Sequence, residues 1–231
     1  MIGIVKGGKH SYDDFGLTVR DATTETKKKN KTLVKIPFMN GSYDFSLLYG
    51  GQTYEEEMRT YEFNLVGRDK YDLETQKTKV SDWLLDGGQI KIYDDLIIGY
   101  YRLAECVDLT FEEKYNYVKV IANFRTYPFK IKDEFEGDDI WDTFNFELDV
   151  IQSVKFSVES IKTTVLINSG SNVVTPVVIC NAPMDVTLDD KTFKFQQGEN
   201  KDFRFRLKKG DNSLMINGAG IIEFKFRKEV L

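Results

Sequence analysis

Apolar and polar residues alternate along much of the chain, a period of two that is typical of strands burying one face in an antiparallel sheet. Four segments show it most clearly, at residues 61–65, 107–111, 144–150 and 203–207. Their apolar positions are Tyr61, Phe63 and Leu65; Val107, Leu109 and Phe111; Phe144, Phe146, Leu148 and Val150; and Phe203, Phe205 and Leu207. We predict a half-buried strand at each segment.

Turn-forming residue pairs separate the predicted strands. These pairs are Gly7-Gly8, Asn40-Gly41, Gly50-Gly51, Gly87-Gly88, Asp94-Asp95, Gly210-Asp211 and Asn217-Gly218. Many short strands joined by such turns are typical of β-sandwiches and β-barrels, so we predict a mainly β fold.

Residues 72–86 break this pattern with a helical period. Asp69 and Asp72 can cap the start of a helix, and Gly87 can adopt the left-handed conformation that ends one. An apolar stripe runs along one side of this helix and consists of Leu73, Val80, Trp83 and Leu84. We predict that the helix plugs an open side of a barrel-like sheet and leads into a hairpin at residues 89–103.

Two segments have no clear period. Residues 21–31 predict a polar loop, whose basic cluster is Lys27, Lys28, Lys29 and Lys31. These lysines either belong to a solvated loop or contact an acidic partner or a passing nucleic acid. Residues 133–149 hold eight acidic and no basic residues, and their first part, DEFEGDD, indicates a connector. We therefore place an N-terminal domain at 1–133 and a second, all-strand domain at 134–231.

Composition narrows the function further. With 231 residues, 41% of them hydrophobic, the chain can bury one large core or two small ones. A net charge of −5 lacks the basic field that a duplex nucleic-acid binder needs. No apolar run approaches the roughly 18 residues that span a bilayer, so we expect a soluble protein folded in a cytoplasm, without membrane insertion. Cys106 and Cys180 lie outside any CxxC pattern and predict buried, reduced thiols.

Candidate catalytic chemistry is sparse. His10 is the only histidine, which leaves little room for a Ser-His-Asp or Cys-His arrangement and none for paired imidazole ligands. By number alone, acidic pairs could supply the two carboxylates of a glycosidase, but Asp13-Asp14, Asp94-Asp95, Asp138-Asp139 and Asp189-Asp190 all fall at expected turns. No calcium loop and no phosphate-binding glycine loop occurs. We predict no catalytic, cofactor-binding or metal site.

The order of several segments along the chain resembles a known family. The segments are HSYDDFGLTVRD, VKIPFMNGSYDFSLLYG, RTYEFNLVGRD, DWLLDGGQIKIYDDLIIGYYRL, VKVIANFRTYPF, LINSGSNVVTPVVI and LKKGDNSLMINGAGIIEFKFRKEVL. In this order, and over nearly its whole length, the chain resembles the distal tail protein (Dit) family of siphophages and prophages of Gram-positive bacteria. The turn in PFMNGSYDFS departs from the more usual Arg-Asp-Gly form.

The resemblance implies a structural hub of the phage virion, not an enzyme. The N-terminal domain would close six copies into a hexameric ring, and the C-terminal domain would be a galectin-like β-sandwich. Such a ring joins the major tail (tube) protein to tail-associated or receptor-binding proteins at the tail tip, and its channel passes tape measure protein and DNA in transit. It would be synthesised and assembled in the cytoplasm of the bacterial host. Many strands with few helices to cover their edges favour self-assembly as well.

An alternative function is a carbohydrate-binding module that attaches the virion to the host cell wall through the C-terminal sandwich. Trp141, with tyrosine and phenylalanine neighbours in an acidic stretch, could stack on a sugar and hydrogen-bond to it. A galectin-like fold by itself does not imply lectin activity.

Overall fold

The computed structural model describes residues 2–48, 51–138 and 150–231. Within them the chain is mainly β with a single helix, which confirms the predicted fold class. It forms two compact units, Met1–Lys130 and Ile131–Leu231. The unit boundary lies three residues before position 133. Apart from Val150, the strand predicted at 144–150 lies outside the described residues.

The first unit is built on one large antiparallel sheet. Its strands are β1 (Ile4–Lys6), β2 (Lys9–His10), β3 (Thr18–Thr24), β4 (Leu33–Val34), β5 (Tyr43–Asp44), β6 (Glu57–Leu65), β7 (Ile90–Asp94), β8 (Tyr100–Glu113) and β9 (Val118–Thr126). Seven of them pair in the order β2-β1-β7-β8-β9-β6-β3, and β4 pairs only with β5. In the described part of the chain this sheet does not close into a complete barrel, and the barrel-like prediction holds with an open sheet.

A tight turn at residues 11–17 connects β2 to β3, the two end strands of that sheet. The backbone N of Gly16 donates to the carbonyl of Tyr12 at 2.8 Å. The N of Leu17 donates to the carbonyl of Ser11 at 2.9 Å. The Ser11 hydroxyl in turn accepts from the backbone N of Ile4 at 3.0 Å, so the turn is fastened to β1.

The helix α1 spans Lys70–Leu85. Asp69 caps its start, with the carboxylate accepting from the backbone N of Asp72 at 2.8 Å, and Gly87 follows its end with a φ of 76°. Both features agree with the capping expected from the sequence. Three residues of the apolar stripe are buried in the core of this unit, and the fourth, Leu73, packs against that core.

The last turn of α1 is fastened to β1 by reciprocal hydrogen bonds. The Trp83 indole N–H donates to the Lys6 carbonyl at 2.9 Å. The buried Lys6 ammonium donates to the carbonyls of Trp83 at 2.8 Å and of Asp86 at 2.7 Å. Lys6 therefore satisfies carbonyls at the helix C-terminus, where a positive charge is favourable. Burial lowers the pKa of Lys6.

In strand β8, the alternation predicted at residues 107–111 is wrong at Val107. Cys106 pairs with Phe124 and Asp108 with Asn123, so Val107 is an extra residue in a β-bulge. The bulge leaves Val107 44% exposed instead of buried. Beyond the bulge the alternation continues, and Leu109 and Phe111 pack against the core. Strand β6 follows its pattern without a break, with Tyr61, Phe63 and Leu65 all buried, as predicted.

The loop predicted at residues 21–31 is wrong for its first four residues, which belong to strand β3. These four residues pair with β6 in an antiparallel register, from Asp21 opposite Glu62 to Thr24 opposite Arg59. A bulge at Arg20 shifts the register so that Val19 and Ala22 both reach the core. Polar composition concealed this edge strand, because Val19 and Ala22 are its only apolar side chains that pack against the core.

The second unit contains two four-stranded sheets that pack face to face. Its strands are β10 (Lys130–Lys132, which begins at the boundary), β11 (Lys155–Val158), β12 (Ile161–Asn168), β13 (Val177–Cys180), β14 (Met184–Leu188), β15 (Lys191–Phe195), β16 (Gly198–Asn200), β17 (Gly210–Gly218), β18 (Gly220–Lys225) and β19 (Glu229–Val230). One sheet has the order β11-β18-β13-β16 and the other β12-β17-β14-β15. Side chains from both sheets share one core around Phe205, which makes this unit a β-sandwich.

The strand predicted at residues 203–207 is wrong. This segment is a turn followed by one bridge residue, Leu207. The Asp202 carboxylate accepts from the backbone N of Arg204 at 2.9 Å, and the N of Phe205 donates to the Asp202 carbonyl at 3.0 Å. These local bonds replace a sheet ladder. As a result Phe203 is 67% exposed, whereas Phe205 is fully buried.

Candidate assembly surface

The first unit carries a long extension, the arm, at residues 25–56. No described residue of the arm is buried. It continues the β3–β6 hairpin, because Glu25 N donates to the Met58 carbonyl and Asn30 N to the Thr53 carbonyl, each at 3.0 Å. Further out, β4 and β5 pair with Leu33 opposite Asp44. Backbone hydrogen bonds thus hold the arm in a defined hairpin although it has no core of its own.

The arm ends in a turn that projects an aromatic side chain. Phe38 is fully exposed and has a φ of 66°, a conformation that is strained for a large side chain. Gly41 accepts its φ of 87° without a steric cost. Phe38 gains no burial within the described chain that would offset this strain, which makes it a candidate contact residue.

The arm exposes an unusual amount of apolar surface. Of the 22 large hydrophobic residues that are exposed in the described parts of the chain, eight lie on it. They are Leu33, Val34, Ile36, Phe38, Tyr43, Phe45, Leu47 and Leu48. Concentrated apolar exposure of this kind makes the arm a candidate interaction surface. The alternation of apolar and polar residues does not predict this surface, and the apolar residues flanking the Asn40-Gly41 turn are the available signal.

The base of the arm is anchored to the sheet by a charged side chain. The Lys27 ammonium donates to the Pro128 carbonyl at 2.6 Å and lies 3.1 Å from the Glu57 carboxylate. The ring of Tyr54 meets that of Phe129 edge to face, with centroids 5.5 Å apart. These contacts fix the direction in which the arm leaves the sheet.

Glu57 belongs to a set of buried charges beneath the arm. Its carboxylate is 2% exposed and accepts from the Arg102 guanidinium at 2.8 Å. A second pair, Arg59 and Asp94, lies at 3.0 Å, and the Tyr61 hydroxyl donates to Asp94 at 2.9 Å. Burial raises the pKa of Tyr61 and lowers the pKa of Arg102. Ion pairs this deeply buried need their partners, because an isolated charge there is costly.

The four lysines of the predicted basic cluster have separate positions on the arm. Lys27 pairs with Glu57 at the base of the arm, and Lys31 pairs with Asp44 at 2.7 Å. Lys28 and Lys29 are exposed, and Lys29 forms a backbone bridge with Tyr54. Carboxylates of the chain itself therefore neutralise two of the four charges. A contact of these lysines with a partner or with DNA stays a prediction.

The large sheet has a polar sheet face, opposite the core, along β6, β8 and β9. Twelve residues in register form it: Met58, Thr60, Glu62, Asn64, Glu105, Asp108, Thr110, Glu112, Lys119, Ile121, Asn123 and Arg125. Four carboxylates face two cations there, and ion pairs such as Arg125–Glu105 at 2.7 Å and Lys119–Glu62 at 2.8 Å cross the strands. This surface is ordered, hydrophilic and acidic.

The remaining predictions concern metal ions, membrane spans, the two cysteines and Trp141. In residues 2–48, 51–138 and 150–231, no group of histidine, cysteine and acidic side chains could hold a metal ion. No helix among them is long and apolar enough to cross a membrane. Both cysteines are buried free thiols, as predicted. Trp141, on which the carbohydrate alternative rests, lies outside the described residues.

Removing the anchor should loosen the arm. We expect Lys27→Met to accelerate hydrogen exchange of residues 25–56 by about fivefold to tenfold, because the variant loses the bonds to Pro128 and Glu57. Hydrogen–deuterium exchange measured by mass spectrometry checks this result. Lys28→Met, at an exposed neighbouring position, is the control. Equal exchange in the two variants would show that Lys27 does not hold the arm.

Comparison with known proteins supports the fold. No protein-family model and no curated protein sequence matches the chain. The structure is similar to the crystal structure of the Dit protein (gp 19.1) of SPP1, described as a paradigm of the hub adsorption apparatus in phages that infect Gram-positive bacteria. The TM-score is 0.70 at 13% sequence identity, over 98% of this chain and 99% of that chain. The similarity establishes a Dit-like β fold, as the resemblance implied.

Proposed function

We propose that this protein is a structural component of a phage tail, a hub whose copies assemble into a hexameric ring between the tail tube and the tail-tip proteins. The Dit-like fold supports a tail role. The arm carries the proposal, because a solvent-exposed apolar hairpin on a rigid base suits binding to another subunit. The role is architectural, and it requires no catalytic group.

The arm of one copy would pack against the next copy around the ring. A ring needs a head-to-tail interface, in which one patch of each subunit meets a different patch of its neighbour. A projecting hairpin such as the arm supplies one half of this interface. Aromatic and large aliphatic residues such as Phe38 and Leu47 are the types that contribute most binding energy once they are buried.

The polar sheet face would line the channel of the ring. Its excess of carboxylates repels the phosphates of DNA, and ten of its twelve side chains are polar or charged, so it presents little apolar surface to a passing chain. DNA and tape measure protein would therefore slide along it without stable binding. The major tail protein and the tail-associated or receptor-binding proteins are the proposed neighbours along the tail axis.

Charged substitutions on the arm test the assembly. We expect the full chain to form a ring as its concentration rises through the micromolar range. The double variant Phe38→Asp with Leu47→Asp should need at least about tenfold more protein, because two apolar contacts become buried charges. Light scattering coupled to size-exclusion chromatography and negative-stain electron microscopy measure the assembly.

Tyr115→Asp is the matched control, since Tyr115 is a fully exposed aromatic residue outside the arm. A normal ring in this variant and a monomer in the arm variant would attribute the loss to the arm. If the wild-type chain stays monomeric at every concentration, both alone and with the tail tube protein, the ring proposal is wrong. Electron microscopy of the parent virion with a labelled copy then tests the tail location separately, and a label away from the tail tip refutes it.

A further inference from the structure

The second unit contains a surface pocket that is separate from the arm and from the polar sheet face. Its volume is about 480 Å³, and its lining is Lys194, Phe195, Asn200, Lys201, Asp202, Phe203 and Arg204. Strand β15 supplies one wall, and the turn that replaces the predicted strand at 203–207 supplies the other. Phe203 and Arg204, which the alternation pattern places in a strand, therefore lie in a turn that forms one wall of the pocket.

The pocket combines three cations with one acid. Lys194, Lys201 and Arg204 are exposed, and Arg204 lies across Asp202 with nitrogen–oxygen distances of 3.0 and 2.7 Å. Arg204 holds the pKa of Asp202 at about 2, so this carboxylate is an ionised hydrogen-bond acceptor at neutral pH. Since Asp202 balances only one of the three positive charges, the pocket retains an attraction for anions.

The pocket also presents an aromatic ring. Phe203 is 67% exposed although Phe205, two residues later, is completely buried. The Lys201 ammonium lies 5.4 Å from the centre of the Phe203 ring. An exposed ring flanked by charged donors and one fixed acceptor offers stacking and hydrogen bonding at the same place.

From these features we propose that the pocket binds an anionic saccharide, that is, a sugar bearing carboxylate or phosphate groups. A sugar ring can stack on Phe203, its hydroxyl groups can donate to Asp202, and its acidic groups can meet Lys194 and Lys201. An acidic peptide fits less well, because it offers few hydroxyl donors to Asp202 and would place its own carboxylates beside it. This site differs from the one expected around Trp141 and does not depend on ring formation.

Titration of the full chain with defined probes tests the proposal. We expect a galacturonate tetrasaccharide to bind with a Kd on the order of 1 mM or below, and the neutral galactose tetrasaccharide at least about fivefold more weakly. Raising the salt concentration should weaken only the acidic probe. Resonance shifts in the NMR spectrum should map to residues 194–204.

Variants separate the two contributions to binding. Phe203→Ala should weaken binding of the acidic probe by about tenfold, and Phe203→Trp should retain it. Lys201→Ala should weaken it by about threefold at low salt. Ile161→Ala and Lys155→Ala are the controls, because both residues are exposed on this unit away from the pocket, and they should bind as the wild type does.

Three results would overturn the proposal. The first is the absence of binding of either tetrasaccharide at about 10 mM. The second is equal affinity for the neutral and the acidic sugar, which would leave the cations without a role. The third is equal affinity for tetraglutamate or for inorganic phosphate, which would reveal a general anion-binding surface instead of a saccharide site.

Discussion

Trp83→Ala is expected to lower the free energy of unfolding of the first unit by about 3 to 5 kcal/mol. Trp83 is 8% exposed and stacks on Phe15 with ring centroids 4.5 Å apart. The substitution leaves a cavity between α1 and the sheet, and the Lys6 carbonyl loses its indole donor. Urea denaturation of the full chain measures the loss, and hydrogen exchange attributes it to residues within 1–130.

Tyr71→Ala on the same helix is the control, since Tyr71 is 86% exposed and its loss should cost well under about 1 kcal/mol. Trp83→Phe keeps a stacking ring but removes the N–H, and it should fall between the two. An unchanged melting temperature of Trp83→Ala would show that the helix does not plug the core as proposed.

Glu57→Ala is expected to cost about 3 to 5 kcal/mol, because it strands the buried Arg102 guanidinium without its counter-charge. The side chains of Glu57 and Arg102 are only 2% and 11% exposed, so water cannot replace the lost partner. The double variant Glu57→Leu with Arg102→Met should recover most of the loss, since a packed apolar pair avoids the cost of burying charges. Chemical denaturation of Glu57→Leu, of Arg102→Met and of the variant that combines them forms a double-mutant cycle.

The exposed ion pair Arg125–Glu105 is the control for the buried pair Arg102–Glu57. Its side chains are 52% and 30% exposed at a distance of 2.7 Å, and Glu105→Ala should cost at most about 1 kcal/mol. If Glu57→Ala is no more destabilising than Glu105→Ala, the buried ion pair does not stabilise the base of the arm.

The elements that the sequence predicted well are those in which the local signals agree with one another. Residues of α1 combine a helical stripe with Asp69 before it and Gly87 after it, and β6 alternates without interruption from Tyr61 to Leu65. In both cases burial of one face and the local backbone preference favour the same structure.

The elements that the sequence missed depend on partners far along the chain. The bulge at Val107 exists because β9 sets the register of β8, and no local pattern reveals an extra residue. At residues 203–207 the hydrogen bonds of Asp202 form a turn in place of the predicted strand, so Phe203 is exposed and Phe205 is buried. Apolar residues of the arm look like core in the sequence, and only the fold shows that nothing in the described chain covers them.

The short turn at residues 11–17 has a consequence for the curvature of the large sheet. It joins the two end strands, and the hydrogen bond from Leu17 to Ser11 returns the chain almost to its starting point. If the seven strands lay flat, at roughly 4.8 Å apart, their ends would be separated by about 29 Å, which this turn cannot bridge. The sheet must therefore roll up until β2 and β3 approach each other across a narrow seam. Rolling brings the start of β3 towards β2, where an edge is less open to unwanted strand pairing, while the arm leaves from the other end of β3, after Thr24.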